Sequence, residues 1–423
     1  MQLCKLSIVL LALLLAAMVM VPMVNAGEQS TKSAVYNPHG QTTTVTTSEA
    51  AAIAELNVKD LAITVPDFLE WNRSSVHLAK TYFDLNDQPT AYAFEILVDG
   101  KYEGYILISA DIGNYPVLEV TKGTIPGTEA TAISKTQQAA DTIASDDHLT
   151  VTDSKPVYLG SLSYYRKYST TNQSGQKDRD IFIDEHSGTI MKSIQKSANE
   201  TTPANTAEYK QLQVQKKADI QAQWDKQRLL LSGESAERTA LLNSIQATRS
   251  SNYVYGVPYF IQDSTYNGCS PMSGAMIVSF WSTHGYSALP SARGTLFTQL
   301  ANEMGTSSSW PLDGSTWPWR IAPGISRVFY TYTSLTPASN DYLSGWSGFV
   351  SEINSGRPFE LSMRNGGTSV GGSQPYGQHS VAVVGYVSSI NNFITIHDTW
   401  DASNDRLLQD NSWDYIMATW VRP

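Results

Sequence analysis

One stretch of the chain decides how its C-terminal part folds: Gln262-Asp-Ser-Thr-Tyr-Asn-Gly-Cys269-Ser-Pro-Met-Ser-Gly-Ala-Met-Ile-Val-Ser-Phe-Trp281. Cys269 follows a polar turn and precedes an apolar run, so we expect a helix to begin here, with Ser270 as its cap and Pro271 in its first turn. A thiol at a helix N-terminus feels the positive end of the helix dipole, which favours the thiolate. The stretch predicts a cysteine nucleophile. The alternative is a buried cysteine that acts as a small apolar side chain.

Length, composition and charge limit the classes of protein that fit. A chain of 423 residues predicts two or three domains, and 41% hydrophobic with 16% charged residues is typical of a soluble globular protein. The formal net charge is −10, and residues 251–423 hold seven arginines, no lysine and eleven acidic residues. This balance argues against nucleic acid and against an anionic membrane surface as partners.

The first 26 residues resemble a secretory signal. Lys5 gives the positive start, Leu6 to Met20 the apolar run, and Val24-Asn25-Ala26 the small-residue cleavage site. Cleavage would remove Cys4 and leave Cys269 as the sole thiol, without an internal disulfide. We therefore expect a secreted or cell-surface protein with no stable membrane anchor, the alternative being a signal that is retained as an anchor.

The N-terminal half has the pattern of an α+β domain. We expect a flexible lead-in over residues 27–54 and a domain over 55–200, with helical segments near Ile53, at Ser75–Tyr82 and at Ala130–Ser145. Hairpins are predicted around Asp99-Gly100 and around 185–188. The histidines of this half lack the spacing of metal ligands, so it shows no chemistry of its own.

A charged connector separates this half from the last domain. Apolar residues recur at helical intervals over residues 201–250, and Gly233 is predicted to divide two helices. In the last domain, over 251–423, we expect a helix near Gly345–Ser355, a Gly/Ser-rich rim at Gly366–Gly377 and strands that begin near Pro358, His379 and Phe393.

The last two of these strands form a predicted hairpin that carries a histidine and an aspartate. If its turn centres on Ser388-Ser389, His379 lies opposite Asp398, about 5 Å away at Cβ. The carboxylate could then hold one ring nitrogen of His379 and leave the other for the thiol. A register slip of one residue would instead favour His397.

Two further residues are candidates by their position. Gln262 supplies a side-chain amide that could form an oxyanion hole with the Cys269 backbone N–H. Trp400 could cover the His–Asp pair from water, and the alternative is ordinary packing.

These residues carry a resemblance to the papain-like cysteine peptidases related to the double-glycine-leader (bacteriocin-processing) peptidases. The motifs are Tyr259-Phe-Ile-Gln262, Gly268-Cys-Ser-Pro271, Ala275-Met-Ile-Val278, Ser355-Gly-Arg-Pro358, His379-Ser-Val-Ala-Val-Val-Gly-Tyr386 and Ile396-His-Asp398. The resemblance implies a papain-like fold, a Cys269–His379–Asp398 triad and an oxyanion hole with Gln262. The chain departs from the family pattern at Ser270, where a glycine commonly follows the nucleophile, and at Gln378, which stands between Gly377 and the histidine. The streptopain-like peptidases are a rival, since they also pair a secreted prodomain with a Gly-Cys helix start.

The N-terminal half carries a second resemblance. Ile181-Phe-Ile-Asp-Glu-His-Ser-Gly-Thr-Ile-Met191 is similar to the closing hairpin of PepSY-like domains, which often precede secreted peptidases as propeptides. This resemblance implies that residues 55–200 act as a propeptide.

Together these features predict an exported cysteine endopeptidase of the α+β class, made as a precursor. Its partners would be a peptide or protein substrate and its own N-terminal domain as an intramolecular inhibitor, with no metal or organic cofactor. One alternative is a catalytically silent module that binds the cell wall through the Trp310–Trp319 segment. Another is a secreted amidase or acyltransferase with the same triad.

Overall fold

The computed structural model describes residues 44–188, 190, 207–307, 314–364, 378–413 and 415–423. The predicted signal, Trp310 and the Gly366–Gly377 rim lie outside these residues. Among the described residues, no helix combines the length and the apolar character that crossing a bilayer requires.

The N-terminal half is a sheet with two flanking helices. Its elements are α1 (Thr47–Thr64), a 3-10 helix (Pro66–Arg73), β1 (Ser74–Phe83), β2 (Pro89–Val98), β3 (Lys101–Ser109), β4 (Val117–Thr121), α2 (Ala130–Asp146), β5 (Thr150–Tyr158), β6 (Tyr164–Thr171) and β7 (Lys177–Asp184). The helix α1 starts within the expected lead-in, because the Thr46 hydroxyl accepts a hydrogen bond from the Glu49 N–H and caps it.

Two local predictions in this half have opposite outcomes. The hairpin at Asp99-Gly100 is confirmed: both residues have positive φ, 51° and 78°, and Val98 pairs with Lys101. The helix predicted over Ser75–Tyr82 is wrong, because these residues form β1. Val76, Tyr82 and Phe83 suit a strand, and the ladder with β2 outweighs the weak helical pattern.

The connector and the C-terminal part contribute the remaining elements. They are α3 (Ala207–Leu231), α4 (Ala236–Thr248), β8 (Ser250–Tyr253), α5 (Cys269–Thr283), α6 (Arg293–Met304), a 3-10 helix (Pro318–Arg320), α7 (Ile321–Thr333), β9 (Ala338–Asp341), α8 (Trp346–Asn354), β10 (Phe359–Arg364), β11 (Gln378–Ser388), β12 (Asn392–His397), β13 (Arg406–Gln409) and β14 (Tyr415–Val421). Gly233 lies between α3 and α4, as the sequence predicts.

The fold class is α+β, as predicted. In the C-terminal part α5 begins at Cys269 and packs its apolar side chains against the antiparallel strands β10 and β11, and α6 and α7 cover its other side. The helix that begins at the cysteine packs on the strand that carries the histidine, and a smaller α+β region precedes this part of the chain.

One sheet runs through both halves of the chain. Its strand order is β7-β6-β5-β1-β2-β3-β4-β13-β12-β11-β10-β14-β9, with β8 paired to β11. The halves meet where β4 pairs antiparallel with β13, with Thr121 opposite Arg406 and Glu119 opposite Leu408. Val387, Phe393 and Leu407 of the C-terminal part pack into the N-terminal core. The N-terminal half therefore covers an edge strand that would otherwise present unpaired backbone groups.

Buried amides join the connector to both halves. Asn57 of α1 donates to the Gln227 side chain of α3 at 2.9 Å, and Asn391 of the β11–β12 turn donates to Asn57 at 2.6 Å. All three side chains are buried, so each depends on the others for its hydrogen bonds. The connector is thus part of the folded structure.

A substitution at Trp224 tests whether the connector helix α3 is packed against the rest of the protein. Its ring is fully buried against the N-terminal core, and its Nε1–H donates to the Asn114 carbonyl at 2.8 Å. We expect Trp224→Ala to lower the free energy of unfolding by about 3–5 kcal/mol in urea titrations. Val214→Ala on the exposed face of the same helix is the control, with an expected change within about 0.5 kcal/mol. Equal, small effects of both substitutions would show that α3 is a loose tether.

Candidate active site

Cys269 is the first residue of α5, as the sequence predicts, and is half-buried. Gly268 before it has φ 155°, and a Cβ there would lie 2.9 Å from Pro271 Cγ. Only glycine fits this close approach without displacing its neighbours. The turn therefore delivers the thiol to the positive end of the helix dipole.

Ser270 does not act as the expected cap. Gly268 occupies the cap position without a side-chain hydrogen bond, and the Ser270 hydroxyl lies 2.9 Å from the Ser380 hydroxyl in the interior. The Ser270 side chain is therefore buried against β11.

His379 on β11 lies against the thiol. Its Nε2 is 2.7 Å from the backbone carbonyl oxygen of Asp398, which can only accept a hydrogen bond, so Nε2 carries the proton. The other ring nitrogen is then available to Cys269, with which the ring makes a hydrogen bond. A backbone carbonyl, rather than a carboxylate, selects the tautomer.

The ionisation of the two groups is coupled. Burial opposes the thiolate, but the hydrogen bond and charge of His379, together with Ser380, outweigh it and lower the pKa of Cys269 to about 7. Burial likewise opposes the imidazolium, but Cys269 and Asp398 raise the pKa of His379 above its ordinary value. A thiolate–imidazolium pair is therefore favoured near neutral pH.

The predicted pairing of His379 with Asp398 is wrong. Ser388 pairs with Asn392 and Ala382 with His397, so the hairpin turns through residues 389–391, not at Ser388-Ser389. A bulge at Val384 then moves the register back by one residue, which does not restore the predicted pairing. Asp398 reaches His379 through its carbonyl because the chain leaves β12 there and turns back.

The Asp398 carboxylate makes its hydrogen bonds to groups other than His379. Its Oδ2 accepts from Nε and Nη2 of Arg406 at 3.0 and 2.8 Å, and its Oδ1 accepts from the N–H groups of Trp400 and Asp401, both at 2.9 Å. Burial opposes the charged form, but Arg406 and these donors hold the pKa of Asp398 below its ordinary value. Asp398 thus shapes the turn whose carbonyl orients His379.

Gln262 connects this turn to the nucleophile. Its Oε1 accepts from the Gly268 N–H at 3.1 Å, and its Nε2 donates to the Thr399 hydroxyl at 2.6 Å. The Gln262 N–H also donates to the Thr399 carbonyl at 2.8 Å. The Thr399 bond uses one of the two N–H groups of the side-chain amide.

Trp400 covers the histidine. Its ring stacks on His379 with centroids 4.0 Å apart, and on its other face it stacks on His186 of the N-terminal half at 3.8 Å. The imidazole of His379 is 8% exposed. Two aromatic layers therefore separate it from solvent on this side.

His397, the competitor, lies in a different cluster. Its Nε2 is 3.1 Å from Asp405 Oδ1, its Nδ1 is 3.1 Å from the Pro258 carbonyl, and its ring stacks on Tyr259. The structure thus brings Cys269, His379, the Asp398 backbone and Gln262 together, and places His397 elsewhere.

Three residues at this site escaped the sequence reasoning. Arg406 and His186 contact Asp398 and Trp400, and Glu360 is fully buried behind the nucleophile, where burial and Cys269 raise its pKa far above the ordinary value. Arg406 and Glu360 each stand next to apolar residues in a strand, and a charged residue beside such neighbours was the available signal.

The C-terminal part of the chain is similar to a known protein family. Residues 254–422 match the Peptidase_C39 like family. The matched range includes Gln262, Cys269, His379 and Asp398. Among the curated proteins, none matches the chain.

The chain is also similar to a solved structure. A mutant fragment of prointerpain A from Prevotella intermedia is 11% identical, with a TM-score of 0.39, over 82% of this chain and 98% of that one. Among the described residues, no three His, Cys, Asp or Glu side chains are grouped to hold a metal ion.

The Cys–His coupling predicts a pH dependence that His379 controls. Alkylation of Cys269 by iodoacetamide should rise with pH around a midpoint of about 7. With His379→Gln, the effect of burial on the thiol is less opposed, so the midpoint should rise by up to about two pH units and the thiolate fraction at pH 7 should fall by as much as ~50-fold. His284→Gln, at the exposed end of α5, is the control and should leave the midpoint unchanged. An unchanged midpoint in His379→Gln would contradict the coupling.

Proposed function

We propose that the protein is an exported cysteine endopeptidase made as a precursor. The observation that carries the proposal is the Cys269–His379 pair, in which a thiol at a helix N-terminus has its pKa lowered to about 7 by the neighbouring histidine. Similarity of residues 254–422 to a peptidase family supports the same reaction class. A low-pKa thiol beside a base of fixed tautomer suits nucleophilic attack on an acyl group.

The reaction would begin with the ion pair. The Cys269 thiolate attacks the peptide carbonyl carbon, and the oxyanion that forms accepts hydrogen bonds from the Cys269 N–H and from the Gln262 amide. The His379 imidazolium gives its proton to the leaving amine as the C–N bond breaks. Water, losing a proton to His379, then attacks the thioester, and collapse of the second tetrahedral intermediate releases the carboxylate and the thiolate.

Asp398 would act without touching the reacting atoms. Its carbonyl keeps the proton on Nε2, so the other nitrogen always faces the thiol. Its carboxylate caps the turn through two N–H groups and so fixes the direction of that carbonyl. This role is positional, unlike that of a carboxylate which contacts the ring directly.

The precursor role rests on the signal-like residues 1–26 and on contacts of the N-terminal half. His186 lies over Trp400, and β4 covers the edge of β13, so the N-terminal half contacts the site both at Trp400 and at the strand that carries Arg406. A secreted peptidase that is active during export would damage its own cell, which gives an inhibitory segment a use. The PepSY-like resemblance of residues 181–191 suits such a propeptide.

A second candidate is a catalytically silent module that binds the cell wall or surface. Trp317 and Trp319 stack at 4.8 Å between centroids, and Trp319 is 48% exposed. Exposed aromatic faces suit binding to a polymer of the cell wall. A third, an amidase or acyltransferase, would use the same Cys–His pair on another acyl group.

Cys269→Ala separates an enzyme from a binding module. Incubated with a mixed peptide library, the wild-type chain should release new amino termini, and Cys269→Ala should release none above background while keeping its melting temperature. Ser264→Ala in the exposed turn before the helix is the control and should retain the wild-type rate. Equal hydrolysis by the wild type and Cys269→Ala would overturn the cysteine mechanism. Hydrolysis of non-peptide amides alone would favour the amidase.

Cleavage of the connector tests the precursor role. The turn between α3 and α4, residues 232–235, can accept a recognition site for a specific protease, and a scrambled insert is the control. After cleavage and dilution a tethered contact becomes bimolecular and weaker, so the rate of peptide hydrolysis should rise as the N-terminal half separates in gel filtration. A rate that stays constant or falls after separation would contradict inhibition.

A further inference from the structure

A series of buried polar contacts leads from the N-terminal half to the candidate active site. Glu119 of β4 is fully buried, and its Oε1 accepts from Nη1 of Arg406 at 2.6 Å. The same guanidinium donates twice to Oδ2 of Asp398, as described above. Arg406 is 5% exposed, so its charge is balanced by one carboxylate from each half of the chain.

The Asp398 turn transmits this contact to His379. Oδ1 of Asp398 accepts hydrogen bonds from the N–H groups of Trp400 and Asp401. Thr399, between Asp398 and Trp400, has φ 68°. In this tight turn the direction of the Asp398 carbonyl is tied to the position of its carboxylate. The carbonyl in turn holds His379 Nε2.

The other groups that face Arg406 and Glu119 are neutral. The Tyr105 hydroxyl accepts from Arg406 and donates to Glu119, and burial raises its pKa well above the ordinary value. Burial does the same for Tyr82, Tyr158 and Tyr164. His186 is kept neutral by burial, which lowers its pKa to about 4.

The free Oε2 of Glu119 shows how much depends on Arg406. It is buried and makes no hydrogen bond within the described residues. A buried carboxylate with one oxygen unpaired is costly unless an opposite charge lies beside it. The Glu119–Arg406 contact is thus electrostatic in origin.

We propose that Glu119 is a positioning residue for the Cys269–His379 pair, acting through Arg406 and the Asp398 turn, so that the N-terminal half sets the pH range in which the pair is ionised. The proposal rests on the proposed function only for the identity of the reacting pair. It gives the N-terminal half a direct effect on the chemistry, separate from covering the site.

The sign of the effect follows from the charges. Loss of the Glu119 charge leaves Arg406 balanced by Asp398 alone. The excess positive charge favours the thiolate and disfavours the imidazolium, so both ionisations move to lower pH. Loss of the Arg406 charge leaves the Asp398 carboxylate without its cation, which moves both ionisations to higher pH.

The test measures the alkylation rate of Cys269 by iodoacetamide from pH 4 to 10 in the full chain, followed by mass spectrometry of the Cys269 peptide. Glu119→Gln should lower the midpoint by about half a pH unit or more, and Arg406→Gln should raise it. Glu55→Gln, the same change on the exposed face of α1, should leave it unchanged.

Shifts of the alkylation midpoint in opposite directions in Glu119→Gln and Arg406→Gln distinguish a positioning role from general support of the fold. Shifts of both variants in the same direction would mean that each merely loosens the site, and no shift in Glu119→Gln would mean that Glu119 is a bystander; either overturns the proposal. If Glu119→Gln does not fold, Glu119→Asp takes its place, since it moves the carboxylate away from Arg406 by the length of one methylene. Glu119→Asp should lower the midpoint of alkylation by a smaller amount. An unchanged midpoint in Glu119→Asp would also overturn the proposal. Because alkylation needs no peptide hydrolysis, a chain that cleaves no peptide would refute the proposed function and leave this test intact.

Discussion

The hydrogen bond from His379 Nε2 to the Asp398 carbonyl is the interaction on which the candidate site depends. It places the proton on one nitrogen and leaves the other for Cys269. The carbonyl itself is held by the turn at residues 398–401, which the Asp398 carboxylate caps. A neutral acceptor orients the imidazole here, and the charge of the carboxylate is used on Arg406 instead. This division lets the protein fix the tautomer without placing an anion on the ring.

That turn also links the two halves of the chain. Arg406 follows it on β13, the strand at which the sheet passes from the C-terminal part to β4, and Glu119 is on β4. Trp400 leaves the turn to lie between His379 and His186. The N-terminal half therefore contacts the turn both through a buried ion pair and through an aromatic stack. Separating the halves would expose the edge of β13 and leave Arg406 with one carboxylate. In our proposal, the contact between the halves therefore affects the ionisation of Cys269 and His379.

The local features of the site were predictable from sequence because local chemistry determines them. The polar turn before Cys269 and the apolar run after it predict the helix start, and Asp99-Gly100 predicts its hairpin. The register of the His379 strand was not predictable, because a bulge at Val384 and a turn centred on Ile390 leave no clear mark in the residues. The segment Ser75–Tyr82 was misassigned for a related reason: pairing with β2 decides its structure. Glu119 and Arg406 are 287 positions apart, and only the β4–β13 ladder brings them together.

The most direct measurement is the mass of the folded chain after exposure to a peptide that carries a thiol-reactive group in place of the scissile bond. Such a probe reacts quickly only where a nucleophile, a base and a substrate cleft come together. We expect one adduct per chain, on Cys269, formed in the folded protein and lost when the protein is unfolded before exposure. The absence of an adduct from the folded chain, or labelling that is equally fast after unfolding, would contradict the assignment of Cys269 and His379 as the reacting pair.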